Sequence, residues 1–550
     1  MKSVSKSSKS LLGKRILTSL ILTGGLLTAA VAPGLSAPSG GVVRIISVGE
    51  PALLNPVFDM SPAAGEFYNL IYSGLIQENT RGELEPDLVE VVPTLANGMV
   101  KMTAEGGMTV TYKLRPGLKW QDGQPLTADD IMFTWQVHTD PKIKYPPTPG
   151  YEQLRRVEIV NAQTAIAHFH RPYGDYYRLF HHLLPRHSFR SRSWAFAPDH
   201  PYNRHPVGSG PFALKDWVKG ESALLDANPL YHRSRPHLDQ IRFQFKPADY
   251  NAVKNSLDWT KDAEVMRGLP IASYNYLKNL PDLDLHVVAD GQIEYLLFNF
   301  KHPALADRRV RRALAFATDR NKISDLLLGL AEPAYSDQLR DSWKYNPQSE
   351  KFYAPDPVQA AANLQQAGWQ RSENDPPDAV RKKGDQPLSL TLTLEMGNKS
   401  HQLVGRYLQQ AWKEVGVELK VKTVAPRVMR EEVMPAGDYE LILGTWTQHP
   451  GETPFRRWHS TQVPPLGINY GNFSDYQVDQ LTRSLQETVN LPQQKKLYQE
   501  LGAMIAEQVP VLPLYYGAQL EASRRNLHNY YPNAYMGATW NSYSWWLDQQ

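Results

Sequence analysis

Met108 to Gln136 reads MTVTYKLRPGLKWQDGQPLTADDIMFTWQ, and this stretch decides the fold. Val110, Tyr112 and Leu114 alternate with Thr111, Lys113 and Arg115, the period-two pattern of a strand with one buried face. Pro116-Gly117 and Asp122-Gly123 are turn dipeptides that bracket a second short strand. Thr127 stands where a helix N-cap belongs, and Asp130, three residues on, falls near the positive end of that helix. The segment predicts strand, turn, strand, turn, helix. Nothing in it is arranged for catalysis.

Working outward, VVRIISV from Val42 predicts a strand, Leu54-Asn55-Pro56 a turn, and the stretch around Phe67, Tyr68, Leu70 and Ile71 a helix. A Pro- and Gly-dense node, Pro206-Val-Gly-Ser-Gly-Pro-Phe212, leads into strands around Phe212 to Leu214 and Ile241 to Phe245. The second half is more helical. Asp307 precedes a helix whose Val310, Ala313, Leu314 and Ala317 share a face. Asp356-Pro357 opens another helix as cap and first residue, and Gly368 closes it. Ser400 starts a third, with the stripe Leu403, Val404, Tyr407, Leu408, Ala411, Trp412 and Val415 ended by Gly416. The strands VELKVKTV and Tyr439 to Leu443 follow, then two amphipathic helices from Asp475 to Glu507. Strand and helix alternate, so the class is α/β. No fixed-period repeat or long linker divides the chain, which predicts interleaved lobes.

At 550 residues the chain is too long for one core. Its 42% hydrophobic and 21% charged residues suit a globular protein. Lys2, Lys6, Lys9, Lys14 and Arg15 precede an apolar run from Ile16 to Ala32, the order of a secretory leader, expected over residues 1–37. Cleavage fits either Ala30-Val31-Ala32 or Ala37-Pro38-Ser39, and an uncleaved anchor is the alternative. Removing those five of the 59 basic residues leaves 54 against 56 acidic ones, so no nucleic-acid footprint remains. Cysteine is absent, which excludes disulfides, zinc-thiolate sites and a lipid-bearing cysteine. Gly208-Ser209-Gly210 lacks the spacing of a nucleophile elbow, and no phosphate loop, H-E-x-x-H or EF-hand sequence occurs. His168 and His170, and His181, His182 and His187, cluster in sequence but read as surface or strand histidines, without a metal site.

The opening stretch resembles the "tYtFkLRpGvkFhDGkPlTAeDVvfS" pattern of the family 5 extracellular solute-binding proteins, the dipeptide-, oligopeptide- and nickel-binding receptors of ABC importers. Pro206 to Phe212 is similar to that family's "PvGTGPy", Asn228 to Tyr231 to its "NpdYw", and Arg308 to Asp319 to its "d.rvRqAlayAiDR". Pro357 to Trp369 resembles "peKAkelLaeAGw", and Asn469-Tyr470 with Asp475 to Asp479 resembles the late "N...y.n..vD" segment. The resemblance implies a class II periplasmic-binding-protein fold of the Venus-flytrap type, with crossover hinge strands. It implies lobe I from residues 41–81, 205–290 and 512–550, an inserted lobe II from 82–204, and lobe III from 291–511. It further implies a monomeric periplasmic receptor, not an enzyme and without cofactor. Such a receptor would close on a peptide or other small solute and hand it to an inner-membrane permease whose partner subunits hydrolyse ATP. A non-peptide solute (nickel chelate, opine or oligosaccharide) or an exported chaperone or hydrolase on the same fold is the alternative.

Five residues are candidate ligand contacts. Trp446-Thr-Gln-His449-Pro-Gly-Glu452-Thr-Pro454 resembles the family's "gW..D...P" loop, whose aspartate pairs with a peptide ammonium. Here His449 takes that position, and neither its neutral nor its cationic form attracts an ammonium as a carboxylate would. Glu452, three residues further on, supplies the charge instead, or the ligand is not a peptide. Glu50 matches an early segment that approaches the ligand in oligopeptide binders, with a solvated loop carboxylate as its other reading. Arg456, beside Arg457 and Trp458, suits an acidic ligand group. The leader gives the first prediction: N-terminal sequencing of exported protein finds a start between Val31 and Gly41. Full-length chain sedimenting with membranes favours the anchor.

Overall fold

The computed structural model describes residues 38–548, apart from 48, 144–148, 190–198, 247–262, 270, 373, 377, 448–452 and 534–535. The leader expected over 1–37 lies outside the described residues. In chain order, β1 (Val42–Ser47) and α1 (Pro62–Ile71) come first. β2 (Val100–Met102), β3 (Met108–Lys113), α2 (Ala128–His138), β4 (Leu154–Asn161) and β5 (Thr164–Phe169) follow. Next are β6 (Phe212–Val218), β7 (Ser222–Ala227), β8 (Gln240–Phe245), β9 (Val265–Leu269) and β10 (Leu283–Phe298). The second half adds α3 (Arg308–Phe316), α4 (Pro357–Gln366), β11 (Ser389–Glu395), α5 (Lys399–Glu414), β12 (Glu418–Val424) and β13 (Leu441–Thr447). It ends with α6 (Pro454–Trp458), α7 (Tyr476–Glu487), α8 (Leu491–Gln508) and β14 (Val511–Arg524).

Two sheets organise these elements. β2, β3, β5 and β4 form an antiparallel sheet in that order, with α2 packed on β4 and β5. The larger sheet has ten strands in the order β12-β11-β13-β10-β14-β9-β1-β8-β7-β6. It is mixed: β1 runs parallel to β8 and β9, β11 runs parallel to β12 and β13, and the remaining pairs are antiparallel. The 16-residue β10 and the 14-residue β14 lie at its middle and belong to both halves. Their register breaks between Ala289 and Ile293, opposite Ala518 and Tyr516. Gly291, inside that break, has φ +74°, a left-handed conformation that glycine adopts without steric cost.

The 108–136 stretch folds as its pattern predicts, with one reduction. Met108, Val110, Tyr112 and Leu114 are buried, and Trp120 is fully so. The second strand shrinks to a single bridge between Lys119 and Pro125, because Trp120 N donates to Gln124 O at 2.9 Å and Gly123 N donates to Trp120 O at 2.9 Å, closing the Asp122-Gly123 turn at once. Asp130 reaches back to the Thr127 N–H at 2.9 Å, and its other oxygen accepts the Arg186 N–H at 2.9 Å. Gln121 stitches this turn to the Pro206–Phe212 node: it accepts from Gly208 N at 2.9 Å and donates to Phe212 O at 2.8 Å. A Cβ at Gly210 would sit 2.5 Å from Leu70 O, so the node's glycines permit close backbone approach to the end of α1.

Caps elsewhere are as expected at Asp307, Asp356 and Asp475, each accepting from backbone N–H groups of its helix. α5 differs. Asn398, not Ser400, is its cap, accepting the His401 N–H at 3.0 Å, so the helix starts one residue earlier. Leu403 is 41% exposed and leaves the apolar stripe, while His401 takes an inward position.

The apolar clusters interlock. Val110, Tyr112, Trp120, Ala165 and Phe169 centre one cluster around the small sheet, and Val489, between α7 and α8, is buried in it. Beside this plug, Gly174 N donates to Gln486 O at 2.8 Å. A Cβ on Gly174 would meet Thr488 O at 2.5 Å. The small sheet and the α7–α8 turn are thus in direct contact at a point that admits no side chain.

Asp130→Ala should leave the Thr127 and Arg186 N–H groups without their acceptor and cost about 2–3 kcal/mol. Urea unfolding checks this, and a loss below about 0.5 kcal/mol would mean that water replaces the carboxylate.

Candidate functional site

A cavity of about 310 Å³ opens between α1, the β9 and β10/β14 region, His181-His182 and the C-terminal residues Asn533, Met536 and Gly537. Glu66 reaches it from α1, Arg267 from β9 and Glu521 from β14. Each is there for a local reason. Glu66 lies one turn before the end of a helix whose Phe67, Leu70 and Ile71 are buried in the core, which turns its own face toward the strands. Arg267 lies in the strand VMRGL and Glu521 between the buried Leu520 and Ala522 of β14, and burial of such charged groups requires partners.

The partners are one another. Arg267 Nε donates to Glu521 Oε1 at 2.9 Å, and Arg267 Nη1 forms an ion pair with Glu66 Oε1. The Tyr530 hydroxyl donates to Glu521 Oε2. Burial opposes the charge on Arg267, but Glu66 and Glu521 outweigh it and raise the guanidinium pKa, so the group stays charged. Glu66 is raised too: burial is the main cause, Arg267 opposes it, and Glu521 adds to it. Burial pushes the Tyr530 hydroxyl well up, with Glu521 reinforcing it. His181 and His182 stack edge to face, 5.1 Å between centroids, and burial holds both below the usual histidine range, His182 well below. At pH 7 both imidazoles are neutral.

The described residues among those expected from sequence lie elsewhere. Trp446, at the end of β13, stacks on Tyr295 at 3.8 Å between centroids and meets Trp458 edge-on at 5.6 Å. Gly444 makes room for this, since a Cβ there would sit 3.2 Å from the Tyr295 hydroxyl. The Arg457 guanidinium covers Trp446 at 4.2 Å and lies 3.6 Å from Asp337. Arg456 is exposed, and its carbonyl accepts from Ile468 N at 3.0 Å. Glu50 accepts from the Trp217 indole at 2.9 Å and from Gly220 N at 3.0 Å, across the β6–β7 turn. His449 and Glu452 lie outside the described residues. Of the three that are described, none lines the cavity, and only Trp446 and Arg456 share a neighbourhood.

On the opposite face of β13 from Trp446, Glu294 accepts from Thr445 Oγ1 at 2.8 Å and meets His401 Nε2 at 2.9 Å, a buried pair that bridges α5 to the crossing strand. His168 pairs with Glu158 and His187 with Asp122. Among the described residues no group of three or more His, Asp or Glu could hold a metal ion, and no helix is long and apolar enough to cross a membrane.

Two sheet halves joined by a pair of broken strands, with a charged cavity beside the break, define a hinged solute-binding protein. Residues 90–463 match the family described as bacterial extracellular solute-binding proteins, family 5, and the chain belongs to that family. It is 29% identical over 524 residues to the oligopeptide-binding protein AppA of Bacillus subtilis, covering 92% of each chain. Over 548 residues it is 25% identical to the probable deoxycholate-binding periplasmic protein YgiS of Escherichia coli, covering 91% of this chain and 92% of that one. The solved structure of B. subtilis AppA in complex with a nonapeptide superimposes with a TM-score of 0.68 at 26% identity, covering 94% of this chain and all of that one.

The triad gives a stability prediction. Arg267→Met leaves two buried carboxylates facing each other without a counter-charge, and at pH 7 should cost about 3–5 kcal/mol. Glu66, already raised by burial, then loses the cation that opposes that rise, so the deficit is full at high pH and shrinks as pH falls through its raised value. Urea unfolding at about pH 7.5 and about pH 5 reads this. An equal deficit at both contradicts it.

Proposed function

We propose that this chain is a monomeric periplasmic receptor that binds a peptide or peptide-like solute and delivers it to the permease of an ABC importer. The observation that carries the reading is the pair β10 and β14, shared by both sheet halves and broken at 290–292. A paired strand resists bending along its length, and the break concentrates the flexibility at one place. The halves can then approach while the pairing on either side persists. Solute contacts made only when they approach favour the closed population. The likeness to an oligopeptide-binding protein across nearly the whole of both chains supports peptide as the solute class. The deoxycholate named for a second relative is the observation that favours a non-peptide solute.

In this reading, lobe I comprises 41–81, 205–290 and 512–550, lobe II 82–204, and lobe III 291–511. The contact between Gly174 and the α7–α8 turn then lies between lobes II and III, and we read it as one that closure makes. Small-angle scattering with and without a mixed peptide pool, and with deoxycholate as the competing probe, tests closure. A ligand that saturates the wild type should reduce the radius of gyration without dimerisation. Gly174→Leu should fold but close incompletely, with binding weakened on the order of tenfold, because the added side chain has no room against Thr488. An unchanged radius at saturation would speak against a hinged receptor. Compaction by deoxycholate but by no peptide would move the solute class.

A further inference from the structure

The charge around the cavity does not balance. Glu521 is fully engaged, one oxygen by Arg267 and the other by Tyr530. Arg267 spends its remaining reach on Glu66. Glu66 therefore keeps one carboxylate oxygen with no hydrogen-bond partner among the described residues, on a side chain that lines the cavity. The other ionisable lining groups do not compensate: His181 and His182 are held neutral by burial, and no lysine or second arginine lines the wall among the described residues. Two carboxylates against one guanidinium leave one net negative charge in a partly desolvated wall, where its interaction with a cation exceeds that at an open surface.

We propose that the cavity receives the cationic group of the solute, an ammonium or guanidinium, against Glu66, completing an alternating row of Glu521, Arg267, Glu66 and ligand. This rests on the receptor reading above and adds the charge of the ligand group that it selects. A primary ammonium offers three donors and suits a single free carboxylate oxygen. The row also gives Arg267 a role: it spaces two carboxylates that would otherwise repel, and leaves one of them facing the cavity.

Titration calorimetry with tetra-alanine, its N-acetyl form, an N-acetyl tetrapeptide carrying one lysine, and cadaverine tests this. Wild type should bind tetra-alanine roughly 10- to 100-fold more tightly than the acetylated form, the range of a charged hydrogen bond in a desolvated site. Tight binding of the acetylated lysine peptide assigns the row to a side-chain cation instead of the terminal amine. In Glu66→Gln the ratio of free to acetylated affinity should collapse toward one, and Glu66→Asp should keep part of it. Wild type alone provides a second readout. Lowering pH from about 7.5 to about 5 should shrink the ratio, since Glu66 takes up a proton above the ordinary carboxylate range. Arg267, Glu521, Tyr530, Tyr68, His181 and His182 face it from the surrounding elements, and protonation of either histidine acts in the same direction. Equal affinities for tetra-alanine, its acetylated form and the acetylated lysine peptide, or a preference that survives Glu66→Gln, overturn the proposal while the peptide reading stands. If none of the three peptides binds, the peptide reading falls, and cadaverine decides the cation site: binding lost in Glu66→Gln upholds it, and no binding overturns it.

Discussion

The pairing of Leu283–Phe298 with Val511–Arg524 is the constraint on which the molecule depends. Seven residue pairs from Leu283↔Arg524 to Ala289↔Ala518 tie this ladder to one half of the sheet, and the pairs from Ile293↔Tyr516 onward tie it to the other. Each half has its own apolar cluster: one around Val43, Phe67, Phe212 and Phe243, another around Leu296, Val310, Leu392 and Trp412. Neither half owns the ladder. Shifting its register by one residue would turn Glu521 out of its charged surroundings and present Leu520 in its place. The side-chain network and the backbone register therefore specify each other.

That reciprocity bears on how a buried ion cluster is tolerated. Three ionised groups inside a protein are costly unless each is paired, and replacing them with apolar residues is often neutral for stability. Here the cluster joins α1, β9 and β14, elements that come from the beginning, middle and end of the chain. Its geometry fixes where these three meet. Arg311 and Arg320 differ, since their guanidinium groups donate to backbone carbonyls, at Val509, Gln508, Pro513 and Tyr353.

Much of the architecture was legible because it is local. The 108–136 stretch carries its strand period, two turns and a cap within 29 residues, and each is a short-range preference. The errors are local as well. Asn398 outranked Ser400 because either side chain can cap, and the sequence alone does not say which residue takes the extended backbone. The cavity was not legible, since Arg267 and Glu521 are 254 residues apart. One hint was available: VMRGL and LYYGAQLEA each hold a single charged residue in an apolar run, and a charge there announces a partner without naming it. Glu50 was legible as a loop carboxylate but not as the acceptor that fastens the β6–β7 turn, because Trp217 lies 167 positions on.

The strand order has a consequence for how the protein reaches its final state. β1, near the start of the chain, pairs only with β8 and β9, and β9 must itself wait for β14, which begins at Val511. Until nearly the whole polypeptide is present, the central ladder lacks one member and both half-sheets expose unpaired edges. Contacts of such long sequence separation form slowly, and an open edge invites pairing with other chains in the meantime. A ribosome or a translocation pore that delivers the chain from its N-terminus thus holds a polypeptide unable to complete its middle. Assembly of the ladder becomes an event of the released chain, and an elongating one can still be threaded through a narrow passage.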